Sequence, residues 1–285
     1  TILNKKSSSN GLTRSRRQDY LDPFYAKLAY EGRALWIELQ EKSDEKFLFD
    51  CGCLNIVKSS LTPNVKNTYA SKVFKILESN KIPVENLSKM TLKERFPQFK
   101  ADFGTLDVNA GFLFLPPIFK TLAYLLKKYK VENIEIKKIL ETNESISIET
   151  NNGKFKTKSL VVTPGRWINK ILPKINTSNV KSFPISLDRP KECCYFIPNP
   201  QKIPKFSSQQ FPVFAYLDIG IYGHPILIDK TTGVKIGYYN PPGFEQSKIK
   251  SVKDFVEECI PSLKDASVVK VTGVDQCFYD SVEDN

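Results

Sequence analysis

Apolar positions recur at helical spacing near the start of the chain. In "TRSRRQDYLDPFYAKLAYEGRALWIELQEKS", Leu21, Phe24, Tyr25, Leu28, Leu35, Trp36 and Leu39 fall on one side of a 3.6-residue repeat. That spacing predicts a long amphipathic helix. Asp22 before Pro23 supplies its N-cap and a first-turn proline. "KFLFDCGCLNIV" has no helical period and is rich in strand formers, so it predicts a strand. "TYASKVFKILESNKI" predicts a second helix, and "NLSKMTLKERFP" a short one ended by Pro97. "PPIFKTLAYLLKKYKV" predicts a third long helix.

Short strands then follow, in "ENIEIKKIL", "SISIET" and "GKFKTKSLVVTPG". Asn151-Asn152-Gly153 between alternating runs predicts a hairpin turn. "RWINKILPKI" predicts a short helix. From about Lys181 the chain is strand-rich, interrupted by one helix at "SVKDFVEECIPSL". Two β-rich stretches separated by helix predict a mixed α+β or α/β protein with two interleaved domains. No internal repeat breaks that picture.

Composition narrows the class. The 285 residues suffice for one large domain or two ordinary ones, and 41% hydrophobic residues mark a folded chain. The formal net charge of +11 raises nucleic acid as a partner. Only seven of the 42 basic residues are arginine, however, and the lysines are scattered rather than clustered. Scattered lysine coats a solvated surface, so the pattern argues for no nucleic acid. No apolar run approaches the roughly 18 residues of a membrane helix, and "AGFLFLPPIF" is broken by Pro116 and Pro117. Six cysteines are too few for a disulfide scaffold, which points to a reducing, cytoplasmic setting. The chain starts with Thr1 in a loop-like tract and stops after a strand-like run, so both ends read as cut.

Candidate chemistry is sparse when judged alone. Cys51-Gly52-Cys53 has the wrong spacing for zinc, and Cys193-Cys194 point to opposite faces of a strand. A single histidine, His224, excludes a histidine-based metal cluster. These features imply no metal, and the cysteines other than Cys277 read as buried thiols. No G-x-G-x-x-G or Walker loop occurs. Thr13, Arg14 and Arg17 precede a helix, either as a solvated basic loop or as a grip for a carboxylate or phosphate. Lys235 alternates with Val234 and Ile236, so it faces solvent or a pocket on the second face of its sheet.

Taken in order along the chain, these segments resemble the sarcosine oxidase family of flavin amine oxidases. That family includes monomeric sarcosine oxidase, pipecolate oxidase, N-methyltryptophan oxidase and fructosyl-amino-acid oxidases. The resemblance rests on "SSNGLTRSRRQDYLDPFYAKLAYEGRALWIELQ", "LKERFP", "NAGFLF", "LVVTPGRWINKIL", "FPVFAYLDIGIYGHP", "GVKIGYYN" and "VDQCFYDSVEDN". It implies a partial Rossmann-like, glutathione-reductase-type FAD-binding domain at about 1–45, 105–175 and 278–285. A substrate domain on a mixed β-sheet would occupy about 46–104 and 176–277.

The resemblance also implies residue roles. Cys277 matches a cysteine tethered covalently to FAD. Tyr222 and Tyr279 match tyrosines of the substrate pocket, Arg17 the arginine that grips the substrate carboxylate, and Arg14 an arginine against the flavin. Thr13 sits beside both arginines. Lys235 matches the lysine at which dioxygen is reduced, and Gly165 and Trp167 lie in the segment beside the flavin. Two positions depart from the pattern. Tyr239 stands where the family's sarcosine oxidases have a histidine next to the strand lysine, and His224 falls elsewhere, beside Tyr222. Ala215 replaces a pocket methionine.

The expected activity is FAD-dependent oxidation of a secondary or N-substituted amino acid to an imine, with dioxygen reduced to hydrogen peroxide. The full-length protein is expected to be a monomer, cytoplasmic or peroxisomal. These 285 residues, lacking the family's ADP-binding glycine loop, are expected to be inactive and loosely packed alone. A dehydrogenase or biosynthetic imino-acid oxidase of the same fold, and a non-enzymatic basic binding protein, are the alternatives.

Overall fold

The computed structural model describes residues 7–62, 64–129, 133–177, 182–183, 185–188, 192–227, 232–239, 248–271 and 279–282, with backbone alone at 186–188 and 279–282. The elements run β1 (Thr13–Arg16), α1 (Pro23–Glu41), β2 (Leu48–Phe49), β3 (Cys53–Val57), α2 (Tyr69–Ser79), β4 (Val84–Ser88), α3 (Lys89–Arg95), β5 (Phe103–Asp107), β6 (Gly111–Phe114) and α4 (Leu115–Leu125). They continue as β7 (Ile136–Glu141), β8 (Ile146–Thr150), β9 (Gly153–Thr157), α5 (Ile168–Ile171), β10 (Ile185–Asp188), β11 (Glu192–Ile197), β12 (Val213–Tyr216), β13 (Ile221–His224), β14 (Val234–Tyr238), α6 (Val252–Cys259), β15 (Ser267–Lys270) and β16 (Tyr279–Val282).

Two compact units form. One comprises Gly11–Thr121 and Pro190–Gln276, the other Thr1–Asn10, Leu122–Arg189 and Cys277–Asn285. The smaller unit holds the β7-β8-β9 meander and the β10–β16 pair. Its hairpin turns at Asn151-Asn152, with Thr150 opposite Gly153, whose φ of 106° only glycine adopts freely.

The larger unit is built on an eight-stranded mixed sheet in the order β15-β11-β14-β13-β12-β3-β5-β4. Only β12–β3 is parallel among its pairings. Register sorts its two faces by chemistry, because side chains of paired residues point the same way. Leu54, Leu106, Phe214, Ile236, Cys194 and Phe196 share one face and join the main apolar core. Helix α6 lies on that face through Val252, Phe255, Val256 and Cys259. Its start is fixed by a capping box between Ser251 and Asp254. Phe214 stacks on Phe255, with ring centroids 5.9 Å apart.

The opposite face is polar yet buried. Thr105, Asn55, Ala215, Tyr222 and Gly237 follow one another across five strands. A second row holds Asp107, Cys53 and Val213, and His224 stands beside Lys235. Over this face lies the start of α2, where the Thr105 hydroxyl donates to the Ala70 carbonyl at 3.0 Å. The segment Thr13–Asp19 crosses it too. Strand β1 belongs to a separate three-stranded sheet, β1-β6-β2.

Several local expectations differ from the structure. The predicted strand 46–57 is two strands, because Gly52 turns the chain at a φ of 76°. Asn86–Ser88 ends β4, and only then does α3 begin, with the Ser88 hydroxyl accepting from Thr91 N–H. Helix α4 stops at Leu125, where Lys127 and Lys128 break the apolar period. Leu160–Thr163 forms no strand among the described residues, and Val161 is exposed. Helix α1 is capped as the sequence predicts, with Asp22 Oδ1 accepting from Phe24 N–H at 2.8 Å. Its apolar stripe, however, is largely open: Phe24 is 66% and Leu35 68% exposed, and only Ala26 is buried.

Candidate functional site on the polar face of the sheet

His224 occupies the end of β13, directly opposite Lys235 on β14. Thr13 Oγ1 lies 2.6 Å from its Nδ1, and Ser15 Oγ 2.8 Å from its Nε2. Both hydroxyls come from β1, whose alternation puts residues 13 and 15 on one side. Phe112 stacks on the imidazole at 6.1 Å between centroids. Burial, together with the Lys235 and Arg14 charges, holds the imidazole well below its ordinary pKa. A neutral ring donates through one nitrogen and accepts through the other, which suits two hydroxyl partners. Lys235 is only 5% exposed. All five residues of β14 are buried, so the face carrying Lys235 is covered rather than solvated.

Tyr222 stands in the same face, opposite Ala215 on one side and Gly237 on the other. Its ring lies over Gly237: a Cβ there would come within 2.3 Å of Cζ. Glycine is therefore what allows the tyrosine to lie flat on β14. Ala215 and Asn55 are neighbours across the parallel pair.

A second cluster lies at the start of the chain. Arg17 Nη1 donates to Asp19 Oδ1 at 2.7 Å, to the Asp19 carbonyl at 3.2 Å and to the Tyr69 hydroxyl at 3.3 Å. The Arg17 Cζ lies 4.8 Å from the Tyr20 ring centroid. Burial works against the Arg17 charge, but Asp19, with Tyr69 and Cys53, outweighs it and raises the guanidinium well above its ordinary pKa. Asp19 is fully buried, and its Oδ2 accepts from Asn55 Nδ2 at 2.5 Å. Tyr69 OH donates to the Asp19 carbonyl at 2.5 Å. Burial and Asp19 raise the Tyr69 phenol, against the Arg17 charge and hydrogen bond.

Asp107 clamps the residue between the two. Its Oδ2 accepts from Gln18 N–H at 2.6 Å. The Gln18 amide, with its NH2 toward Asp107, donates to both carboxylate oxygens at 2.5 and 3.0 Å and accepts from Arg16 Nη1 at 3.1 Å. Burial and the nearby Asp19 push the Asp107 carboxyl up to about 7, against the Gln18 N–H and the Arg16 and Arg17 charges. Arg16 pairs with Asp50, which also takes Arg33 Nη2 at 2.7 Å.

The fold thus brings Thr13, Arg17, Lys235, Tyr222, Ala215 and Tyr239 into one unit. Arg14, half-buried in β1, is close enough to depress His224. His224 lies beside Tyr222, with ring centroids 6.2 Å apart, and the register of β13 and β14 also sets it across from Lys235, which its place in the sequence did not indicate. Gly165 and Trp167 belong to the smaller unit, in a 3-10 turn where the Arg166 guanidinium lies 4.9 Å from the Trp167 centroid. Cys277 lies outside the described residues, and Tyr279 is described by its backbone alone. Among the described residues the cysteines form no disulfide, and burial pushes Cys51 and Cys259 up to about 12. Among the described residues no group of three or more His, Cys, Asp or Glu could hold a metal ion, and no helix is long and apolar enough to cross a membrane.

Sequence reasoning missed Ser15, Asp19, Asn55, Tyr69 and Asp107. The available signal was the acid in "RRQDY", two residues after the second arginine. Nothing local marks Asn55 or Asp107, which become neighbours of Asp19 only through strand pairing.

The larger unit is thus a mixed sheet with one apolar face and one buried face that carries Lys235, Tyr222 and neutral His224. The family of FAD-dependent oxidoreductases known as DAO matches residues 5–284, and the chain belongs to this family. It is 22% identical over 310 residues to human peroxisomal sarcosine oxidase, covering 99% of this chain and 73% of that protein. It is 24% identical over 181 residues to the N-methyl-L-tryptophan oxidase of Yersinia pestis, covering 61% of this chain and 47%, about half, of that protein. Its fold is similar to that of NikD, an amino acid oxidase essential for nikkomycin biosynthesis, with a TM-score of 0.68 at 14% identity over 100% of this chain and 74% of that one.

Proposed function

We propose that the whole protein oxidises a secondary or N-substituted amino acid, of the sarcosine or pipecolate kind, to the imine, with dioxygen reduced to hydrogen peroxide. The observation that carries this reading is Lys235: a nearly buried cation on a covered sheet face, opposite a neutral histidine. Burying a lysine is costly unless its charge is used.

The donor set fits FAD. Thr13, Arg14 and Lys235 are donors or cations, suited to a ring system rich in hydrogen-bond acceptors that takes up negative charge. Bound FAD supplies the two-electron acceptor for the amine and returns the electrons to dioxygen. Lys235 holds a fixed positive charge where the oxygen anion develops. Arg17 anchors the substrate carboxylate with its planar fork. Tyr222 and Tyr279 line the pocket, Tyr239 stands by the carboxylate anchor, and Ala215 leaves room for an N-substituent. Arg14, Gly165 and Trp167 serve the flavin, and Cys277 carries it covalently. Residues 1–45, 105–175 and 278–285 serve FAD, and 46–104 with 176–277 the substrate. The whole enzyme works as a monomer, in the cytoplasm or, like the human relative by name, in the peroxisome.

The test is reoxidation of the flavin-loaded Lys235→Met protein by dioxygen. The expected result is a fall of about 100-fold or more. Unchanged reoxidation would remove the oxidase role of Lys235 and favour a dehydrogenase of the same fold.

A further inference from the structure

We infer that Asp19 is a positioning residue that aims the Arg17 guanidinium at the substrate carboxylate. This rests on the reading of Arg17 as the carboxylate anchor.

The carboxylate of Asp19 is itself fixed. One oxygen is held by Asn55 Nδ2 at 2.5 Å, and Asn55 sits in the middle of β3 between Thr105 and Ala215. The Cys53 thiol lies 3.9 Å from the same oxygen. The Asp19 carbonyl takes the Tyr69 hydroxyl at 2.5 Å, and Tyr69 N–H is in turn bound to Asp218 Oδ1 at 2.9 Å. Gln18, just before, is tied through its N–H to Asp107 on β5. Asp19 therefore belongs to the sheet more than to the loop that carries it.

What this fixed group does is hold one nitrogen of Arg17. Nη1 faces Asp19 and Tyr69, while the Tyr20 ring flanks the guanidinium. A guanidinium is rigid and planar, so fixing one nitrogen and the plane fixes the direction of the other N–H groups. The Arg17 side chain keeps 25% of its surface exposed although Asp19 has none. Nη1 is thus held by Asp19 and Tyr69 while a quarter of the side-chain surface stays exposed. Arginine otherwise gives up much rotamer freedom when it grips a ligand; here that ordering precedes binding.

The experiment uses the whole flavin-loaded protein and two probes of the same shape, propanoate and uncharged propanamide, with dissociation constants read from the flavin spectrum. In Asp19→Asn, propanoate binding should weaken about tenfold while propanamide changes less than about twofold. Tyr69→Phe, which keeps the buried carboxylate, should weaken propanoate about two- to fivefold in the same selective way, and carries the test should Asp19→Asn fail to fold. Equal loss for both probes would make Asp19 a merely structural residue and overturn the inference. So would unchanged propanoate binding in Asp19→Asn when Arg17→Lys weakens it. Unchanged propanoate binding in Arg17→Lys would instead sink the anchor reading on which the inference stands.

Discussion

His224 and Lys235 face each other across the antiparallel pair β13–β14, a neutral imidazole beside a buried ammonium. The pair explains itself electrically. With Lys235 and Arg14 nearby, a second cation on His224 would be repelled as well as desolvated, so the ring stays uncharged and bridges Thr13 and Ser15.

His224 is the single histidine of these 285 residues, and in the whole protein its imidazole signals are assigned by their loss in His224→Gln. The imidazole NMR signals should show no titration near pH 6.5, down to about pH 5. A free-histidine curve centred near 6.5 would contradict the buried, doubly bonded ring. The sign for stability follows. The folded pKa is depressed, so the contribution of neutral His224 is present above about pH 6.5 and is lost as pH falls toward the folded value.

Asp107 works in the opposite direction. Its folded pKa is raised to about 7, so its contribution is present at low pH and is lost as pH rises from about 4 through about 7. Asp107→Asn, which keeps an acceptor for Gln18 N–H, should flatten that alkaline loss. Chemical unfolding near pH 5 and pH 8.5 should show a smaller drop in unfolding free energy for the variant than for the parent, a difference on the order of 1–3 kcal/mol. An identical drop would place the titration elsewhere.

Gly237 sets the attitude of Tyr222. Gly237→Ala would put a methyl within 2.3 Å of the tyrosine ring, so the ring must lift from the strand. The expected cost is about 1–3 kcal/mol in chemical denaturation, accompanied by a changed KM for the amino acid. A neutral substitution would show that the ring is loosely held.

Cys277→Ser tests the proposed tether without reference to turnover. Flavin that stays with acid-precipitated protein in the parent should pass into the supernatant in the variant. Flavin released from both would remove the covalent bond from the account.

Much of the scaffold was legible in the sequence, for local reasons. Asp22-Pro23 and Asn151-Asn152-Gly153 each place their element through contacts spanning two or three residues. The alternation around Lys235 separated it from Val234 and Ile236, which lie in the apolar core while Lys235 stands opposite His224. What alternation could not supply was the cover on the second face. That depends on strands β3, β5, β12 and β13 pairing so that Asp107, Asn55, Tyr222 and His224 share it. The Asp19–Asn55 bond spans 36 residues and Thr13–His224 spans 211, beyond any local pattern. The open stripe of α1 shows the converse: helical periodicity marked a face that the described residues leave exposed.

The most direct test of the central claim is anaerobic mixing of the whole flavin-loaded protein with sarcosine, pipecolate and N-methyltryptophan in turn. The account predicts that at least one of them bleaches the flavin absorbance, and that readmitted dioxygen restores it with one hydrogen peroxide formed per flavin. An absorbance unchanged by all three, in protein that holds its flavin, would contradict it.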